Sequence, residues 1–132
     1  MRLLSWNIGG RDLYSELLKS NADIALLQEA RKPNQLPSPQ VLPSAEEDWR
    51  TEGSRNRDWS TAIVGLNLEY SLRALRAAPV GYETDGDFCV SRRGTIQIAE
   101  VSRDDTVLLN VACVYSPWER PSAKNSPIFA DT

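Results

Sequence analysis

The chain opens MRLLSWNIGGRDLYSELLKSNADIALLQEA, Met1 to Ala30, and the reading of this stretch decides the fold. Arg2 to Trp6 reads as a first strand, with Leu4 and Trp6 on one face and Leu3 on the other. Gly9 and Gly10 break it, and Asp12 is placed to cap a helix in which Leu13, Leu17 and Leu18 recur at helical spacing. Asn21 is suited to close that helix, because Asn tolerates the left-handed turn conformation. Ile24 to Leu27 is a fully apolar run of strand length, the pattern of a buried central strand. A strand, a helix and a strand in so compact a space predict a crossover unit with both strands in one sheet. Each strand then ends on a polar group: the amide of Asn7 and the carboxylate of Glu29.

Working outward, the stretch from Arg31 to Ser44 holds Pro33, Pro37, Pro39 and Pro43 and is predicted to be a surface loop, since proline cannot donate to a ladder. Trp49 to Glu52 reads as a short strand, Gly53 to Asp58 as a polar loop with two arginines, and Thr61 to Val64 as a strand. Tyr70 to Leu75 is a further strand candidate, and Tyr82 to Asp87 is rich in turn residues. The clearest pair comes late. Thr95 to Val101 alternates with period two, Arg103-Asp104-Asp105 makes a turn, and Thr106 to Tyr115 is a long apolar run, which together predict a hairpin.

Composition bounds the possibilities. The 132 residues allow at most one domain and are enough to bury a core. A net charge of −3 argues against a generally basic nucleic-acid binder, although a local basic patch is compatible with it. No apolar run approaches the roughly 18 residues of a membrane span, and no signal peptide is evident. Two cysteines, Cys89 and Cys113, are too few for a disulfide scaffold and fit a reducing compartment, so a cytoplasmic protein is expected. The absence of histidine excludes a Ser-His-Asp or Cys-His hydrolase and a His-ligated zinc site within this chain. Carboxylate and amide chemistry around a hard cation stays open.

Trp6-Asn7 at the end of the first strand, Gln28-Glu29-Ala30 at the end of the second, and NVACVYSP (Asn110 to Pro117) late in the chain, in that order, resemble the endonuclease/exonuclease/phosphatase superfamily, the fold of deoxyribonuclease I and the exonuclease III-type endonucleases. DWSTAIVG and SRRGTIQIAEV fall in approximate register with the same pattern. The resemblance implies a four-layered α/β sandwich, of which residues 1–132 would be roughly the first half of one domain, with 31–44 as a surface loop. It implies a Mg²⁺ (or Mn²⁺) ion, a phosphate-ester substrate with nucleic acid among the candidate classes, and hydrolysis by water. Glu29 would be a metal-binding carboxylate, with Asn7 beside it at the metal, hydrogen-bonding a catalytic carboxylate or a phosphate oxygen. Tyr115 would set its hydroxyl against the phosphate.

Members of that family run to about 250 residues and carry an Asp-x-Asn pair and a Ser-Asp-His motif after the tyrosine. Neither motif occurs here, so the chain alone is expected to be inactive. The resemblance places it mostly on one of two sheets, leaving an inner face around Leu108, Val111 and Val114 without a partner and open to self-association. Two other readings compete: a non-catalytic module that binds a ligand or protein with the same half-fold, and an unrelated α/β protein. Taken singly, Asn7 is a turn residue, Glu29 a solvated strand-end carboxylate and Tyr115 a core-edge ring with a wet hydroxyl. Trp6, Trp59 and Trp118 are read as packing, and the Arg55/Arg57 and Arg92/Arg93 pairs as ordinary surface charge, which the resemblance makes secondary candidates for phosphate contact.

Overall fold

Apolar runs separated by turn residues produce a mixed α/β structure dominated by strands, which form three sheets. The computed structural model describes residues 1–52, 56–90 and 92–116. Trp118, Arg55 and the C-terminal tail lie outside the described residues.

Strand β1 (Leu3–Asn7) and strand β2 (Ile24–Ala30) pair in parallel, Leu3 opposite Ile24 and Asn7 opposite Gln28, so both carry their polar ends to the same edge. Helix α1 (Tyr14–Lys19) makes the crossover and buries Tyr14 and Leu17. It starts later than Asp12 suggests: Leu13 occupies the cap position without a side-chain bond. Its end differs too. Ser20, not Asn21, closes it in an extended conformation, its N–H and its hydroxyl both donating to the Leu17 carbonyl at 3.0 and 2.7 Å. The hydroxyl satisfies the orphan carbonyl that a left-handed residue would otherwise serve.

Strand β4 (Ser60–Gly65) runs antiparallel to β2, and β3 (Gln40–Leu42) pairs with β4 to give the order β1-β2-β4-β3. That β3 arises inside the Pro-rich stretch 31–44 is a departure from the expected loop. Pro39 and Pro43 flank the triplet instead of interrupting it, and an edge strand needs only one side of its backbone paired. Val41 is buried there. The expected strand at Trp49 to Glu52 reduces to a single bridge, Thr51 with Arg57.

A second sheet has the order β5-β8-β9, with β5 (Ser71–Leu75), β8 (Ile96–Arg103) and β9 (Thr106–Val114) all antiparallel. The predicted hairpin is therefore present, and its turn at Asp104 and Asp105 uses two left-handed residues, φ 49° and 59°. A short parallel pair, β6 (Ala77–Pro79) and β7 (Phe88–Val90), completes the strands.

Strand alternation sorts the core into two layers. Ala25, Leu27, Ala62 and Val64 face α1 together with Tyr14, Leu17 and Trp49. Ile24 and Ile63 face the other way, onto Ala99, Val101, Val111 and Cys113 of the second sheet. The two sheets thus pack face to face with α1 outside. This overturns the expectation of a partnerless inner face: β8 and β9 belong to a second sheet that covers β2 and β4, and Val111 is buried by them. Leu108 and Val114 remain exposed, because alternation turns them to the outside of β9.

Both cysteines are free thiols. Burial pushes the Cys113 thiol up to about 11, an effect only partly offset by its hydrogen bonds to Gln28 and to the backbone. Since the folded value lies above the unfolded one, its contribution to stability is complete below the ordinary thiol value and is lost as pH rises toward 11. One thiol, the exposed Cys89, is expected to react with a disulfide reagent at pH 8 in the folded protein, and Cys113 only after denaturant is added. Equal rates for both thiols in the folded state would contradict the burial of Cys113.

Candidate functional site

The polar end of the sandwich is built from the tips of β1, β2 and β9. At the end of β1, the Asn7 side chain is exposed and makes two bonds: Nδ2 donates to Glu29 Oε1 at 3.3 Å, and Oδ1 accepts from the Gly9 N–H at 3.0 Å. The Gly9-Gly10 turn has positive φ at both residues, which lets the Gly10 N–H return to the Glu29 carbonyl at 2.7 Å. The strand break read in the sequence is therefore a clasp between the two strand ends.

Glu29 itself is the unusual residue. Its φ is 51°, a left-handed conformation that costs a side-chain-bearing residue about 1–2 kcal/mol. Pairing of β2 with β4 slips between Leu27 and Ala30 at the same place. Simple alternation would put residue 29 on the α1 side with Ala25 and Leu27; Ala30 takes that position instead. The bulge thus frees Glu29 from the helix face and turns its carboxylate toward Asn7 and Tyr115. Such strain is a usual companion of sites that need one side chain re-aimed. Glu29→Gly is accordingly expected to be more stable than Glu29→Ala by about 1 kcal/mol, because only alanine keeps the left-handed penalty. Denaturant unfolding of both variants checks this; an alanine variant as stable as the glycine variant would remove the strain argument.

Tyr115 follows β9, its N–H donating to the Thr95 carbonyl at 2.8 Å. Its hydroxyl is held above the ordinary phenol range, first by partial burial and then by the acceptor oxygens and charge of Glu29, with Arg57 acting in the opposite direction. At neutral pH the group is a protonated donor. Asn7, Glu29 and Tyr115, chosen from three separate stretches, therefore meet at one place.

Two supporting roles, those of Gln28 and Cys113, escape a reading of the sequence. Gln28 points between the sheets, where Nε2 lies 3.3 Å from Cys113 Sγ and 3.3 Å from Ser5 Oγ, and Cys113 Sγ donates to the Leu27 carbonyl at 3.2 Å. These contacts fasten β9, two residues before Tyr115, to β2. Arg57 is bridged to Thr51 through the backbone, its guanidinium lies 5.1 Å from the centre of the Trp59 ring, and its charge acts on the Tyr115 hydroxyl. Trp6 packs against the helix-side core, as read from the sequence.

The donor set is small, one carboxylate at Glu29 beside the Asn7 amide. Among the described residues there is no group of three or more His, Cys, Asp or Glu side chains that could hold an ion. A single partly exposed carboxylate with an orienting amide is still adequate for Mg²⁺, which is often held by one or two carboxylates, waters and substrate phosphate. Asn7 turns its N–H₂ to Glu29 and its oxygen to Gly9, the posture of a residue that orients the carboxylate. No helix among the described residues is long and apolar enough to cross a membrane. Comparison of the chain with family models, with curated proteins and with solved structures gives no match.

Proposed function

We propose that the Asn7–Glu29–Tyr115 cluster is the metal- and phosphate-binding part of a Mg²⁺-dependent phosphoesterase of nuclease or phosphatase type, in a deoxyribonuclease I-like α/β sandwich. One observation carries the reading: three residues singled out from distant stretches converge at one end of two face-packed sheets, around a carboxylate re-aimed by a left-handed bulge. The helix outside two sheets is compatible with part of a four-layered sandwich.

In this proposal Glu29 holds Mg²⁺ or Mn²⁺, and the bound ion supplies Lewis-acid polarisation of the phosphoryl group. Asn7 Nδ2 fixes the carboxylate rotamer through its bond to Oε1. The protonated Tyr115 hydroxyl donates to a phosphate oxygen, where charge grows in the transition state. Arg57, stacked over Trp59, adds a cation beside the same phosphate.

The chain has no histidine, and the described residues bring no carboxylate cluster to the site that would activate water. The same feature favours a second reading, a module that binds metal and phosphate ester without turnover. Both readings require Glu29 to bind the ion, so calorimetric titration with Mg²⁺ tests their common core. The expected result is saturable binding that strengthens when a phosphodiester is present; binding unchanged in Glu29→Gln would remove both. An assay of phosphodiester hydrolysis then separates them, since turnover that depends on Mg²⁺ and on Glu29 belongs only to the enzyme.

A further inference from the structure

The same end of the sandwich carries a second feature. Between the tips of β3 and β4 and those of β5 and β8 lies a groove of about 400 Å³. Ser60 and Thr61 of its lining belong to β4, the strand paired with β2. Thr61 and Gly94, joined by the bond from the Thr61 N–H to the Gly94 carbonyl at 2.8 Å, line the groove, and the adjoining Thr95 carbonyl holds Tyr115.

The lining has two characters. Leu75, Ile96 and Val90 are apolar residues of the lining, and Arg50, Arg76 and Arg93 are its cationic ones. These cations differ in what they already hold. Arg76 is tied to Asp87 at 3.3 Å, and Arg50 lies a loose 3.7 Å from Glu52. Arg93 has an exposed side chain and pairs with no carboxylate among the described residues; only its backbone carbonyl is used, by the Glu52 N–H. Glu47 and Asp48 also border the groove. Two carboxylates there disfavour a long polyanion, while apolar lining residues with one uncommitted arginine suit a compact ring body bearing one anionic group.

We propose that this groove binds the organic body of a phosphorylated ligand of nucleotide size, with Arg93 and Arg50 on its anionic group. This binding does not rest on the phosphoesterase reading above.

The test uses the full chain and amide-resolved NMR titrations with adenosine monophosphate, adenosine and inorganic phosphate. The expected result is saturable shifts at Gly94, Gln97 and Ala78 with the monophosphate, and affinity at least about tenfold weaker for adenosine or phosphate alone. Arg93→Glu is expected to weaken the monophosphate by about tenfold or more, and Arg93→Gln by less, with folding intact because residue 93 is exposed. Absence of shifts at these amides up to millimolar monophosphate, or equal affinity in Arg93→Glu, would overturn the proposal. So would an oligodeoxynucleotide that binds the groove more tightly with a steep salt dependence, since that is the behaviour of a polyanion site. Groove binding by a chain whose Glu29 ignores Mg²⁺ would support the ligand site and sever it from the phosphoesterase reading.

Discussion

Glu29→Gln is expected to lower Mg²⁺ affinity by more than about a hundredfold, and Asn7→Ala by about ten- to a hundredfold. The difference follows from what each side chain offers. Glu29 is the carboxylate at the junction, and glutamine keeps its size and a carbonyl oxygen while removing the charge that a hard dication requires. Asn7 acts through Glu29: its Nδ2 bond to Oε1 at 3.3 Å restricts the carboxylate, and alanine releases it. The left-handed backbone at Glu29 survives either change, because the Gly10 N–H bond to the Glu29 carbonyl and the bulge against β4 are main-chain features. Calorimetry measures both affinities. Equal losses in the two variants would assign Asn7 to the ion itself, and no loss in Glu29→Gln would remove the metal from this place.

The largest expected effect on stability belongs to Gly94→Ala, at about 3 kcal/mol or more. Gly94 has φ 83°, and a Cβ there would stand 2.2 Å from the Arg50 carbonyl oxygen, 2.7 Å from Thr51 Cα and 2.8 Å from Thr51 Oγ1. The first two are backbone atoms, so no rotamer change relieves the clash. The same backbone seats Thr61 through the Gly94 carbonyl, and the next residue, Thr95, accepts the Tyr115 N–H. A shift of this loop therefore reaches the site, and the variant that still folds should show weaker Mg²⁺ binding as well as a lower midpoint. Chemical denaturation of Gly94→Ala with a loss below about 1 kcal/mol would mean that the loop and the residue 50–52 segment are not in close contact.

Much of the strand framework was legible because it rests on periodicity. The unbroken apolar run at Ile24 to Leu27 and the alternation at Thr95 to Val101 have few other solutions, and both became strands where expected. Elements that depend on partners were not legible. Gln40 to Leu42 is a strand only because β4 offers it an edge, and β6 and β7 are three-residue pieces that exist by pairing with each other. The second sheet was hidden for the same reason: nothing in Val111 or Cys113 says whether the apolar surface opposite them belongs to this chain. At the site, the meeting of Asn7, Glu29 and Tyr115 came from a resemblance in short motifs, since strand-end polar residues carry no signature of one another. The positive φ of Glu29 has no local sequence signal at all, because glutamate is not a residue chosen for left-handed turns. Gly94 had a signal, a glycine between Arg93 and a strand, but not the close approach of the Arg50 and Thr51 backbone that explains it.

The proposal stands or falls on where a dication sits. Mn²⁺, a paramagnetic stand-in for Mg²⁺, broadens amide signals near its binding place, and the chain offers competing acidic runs at Glu46–Asp48 and at Asp104 and Asp105. Titration with substoichiometric Mn²⁺ is predicted to broaden Asn7, Gly9, Glu29 and Tyr115 first. Broadening confined to the Glu46–Asp48 or Asp104–Asp105 runs, with the Glu29 amide unaffected, would contradict it.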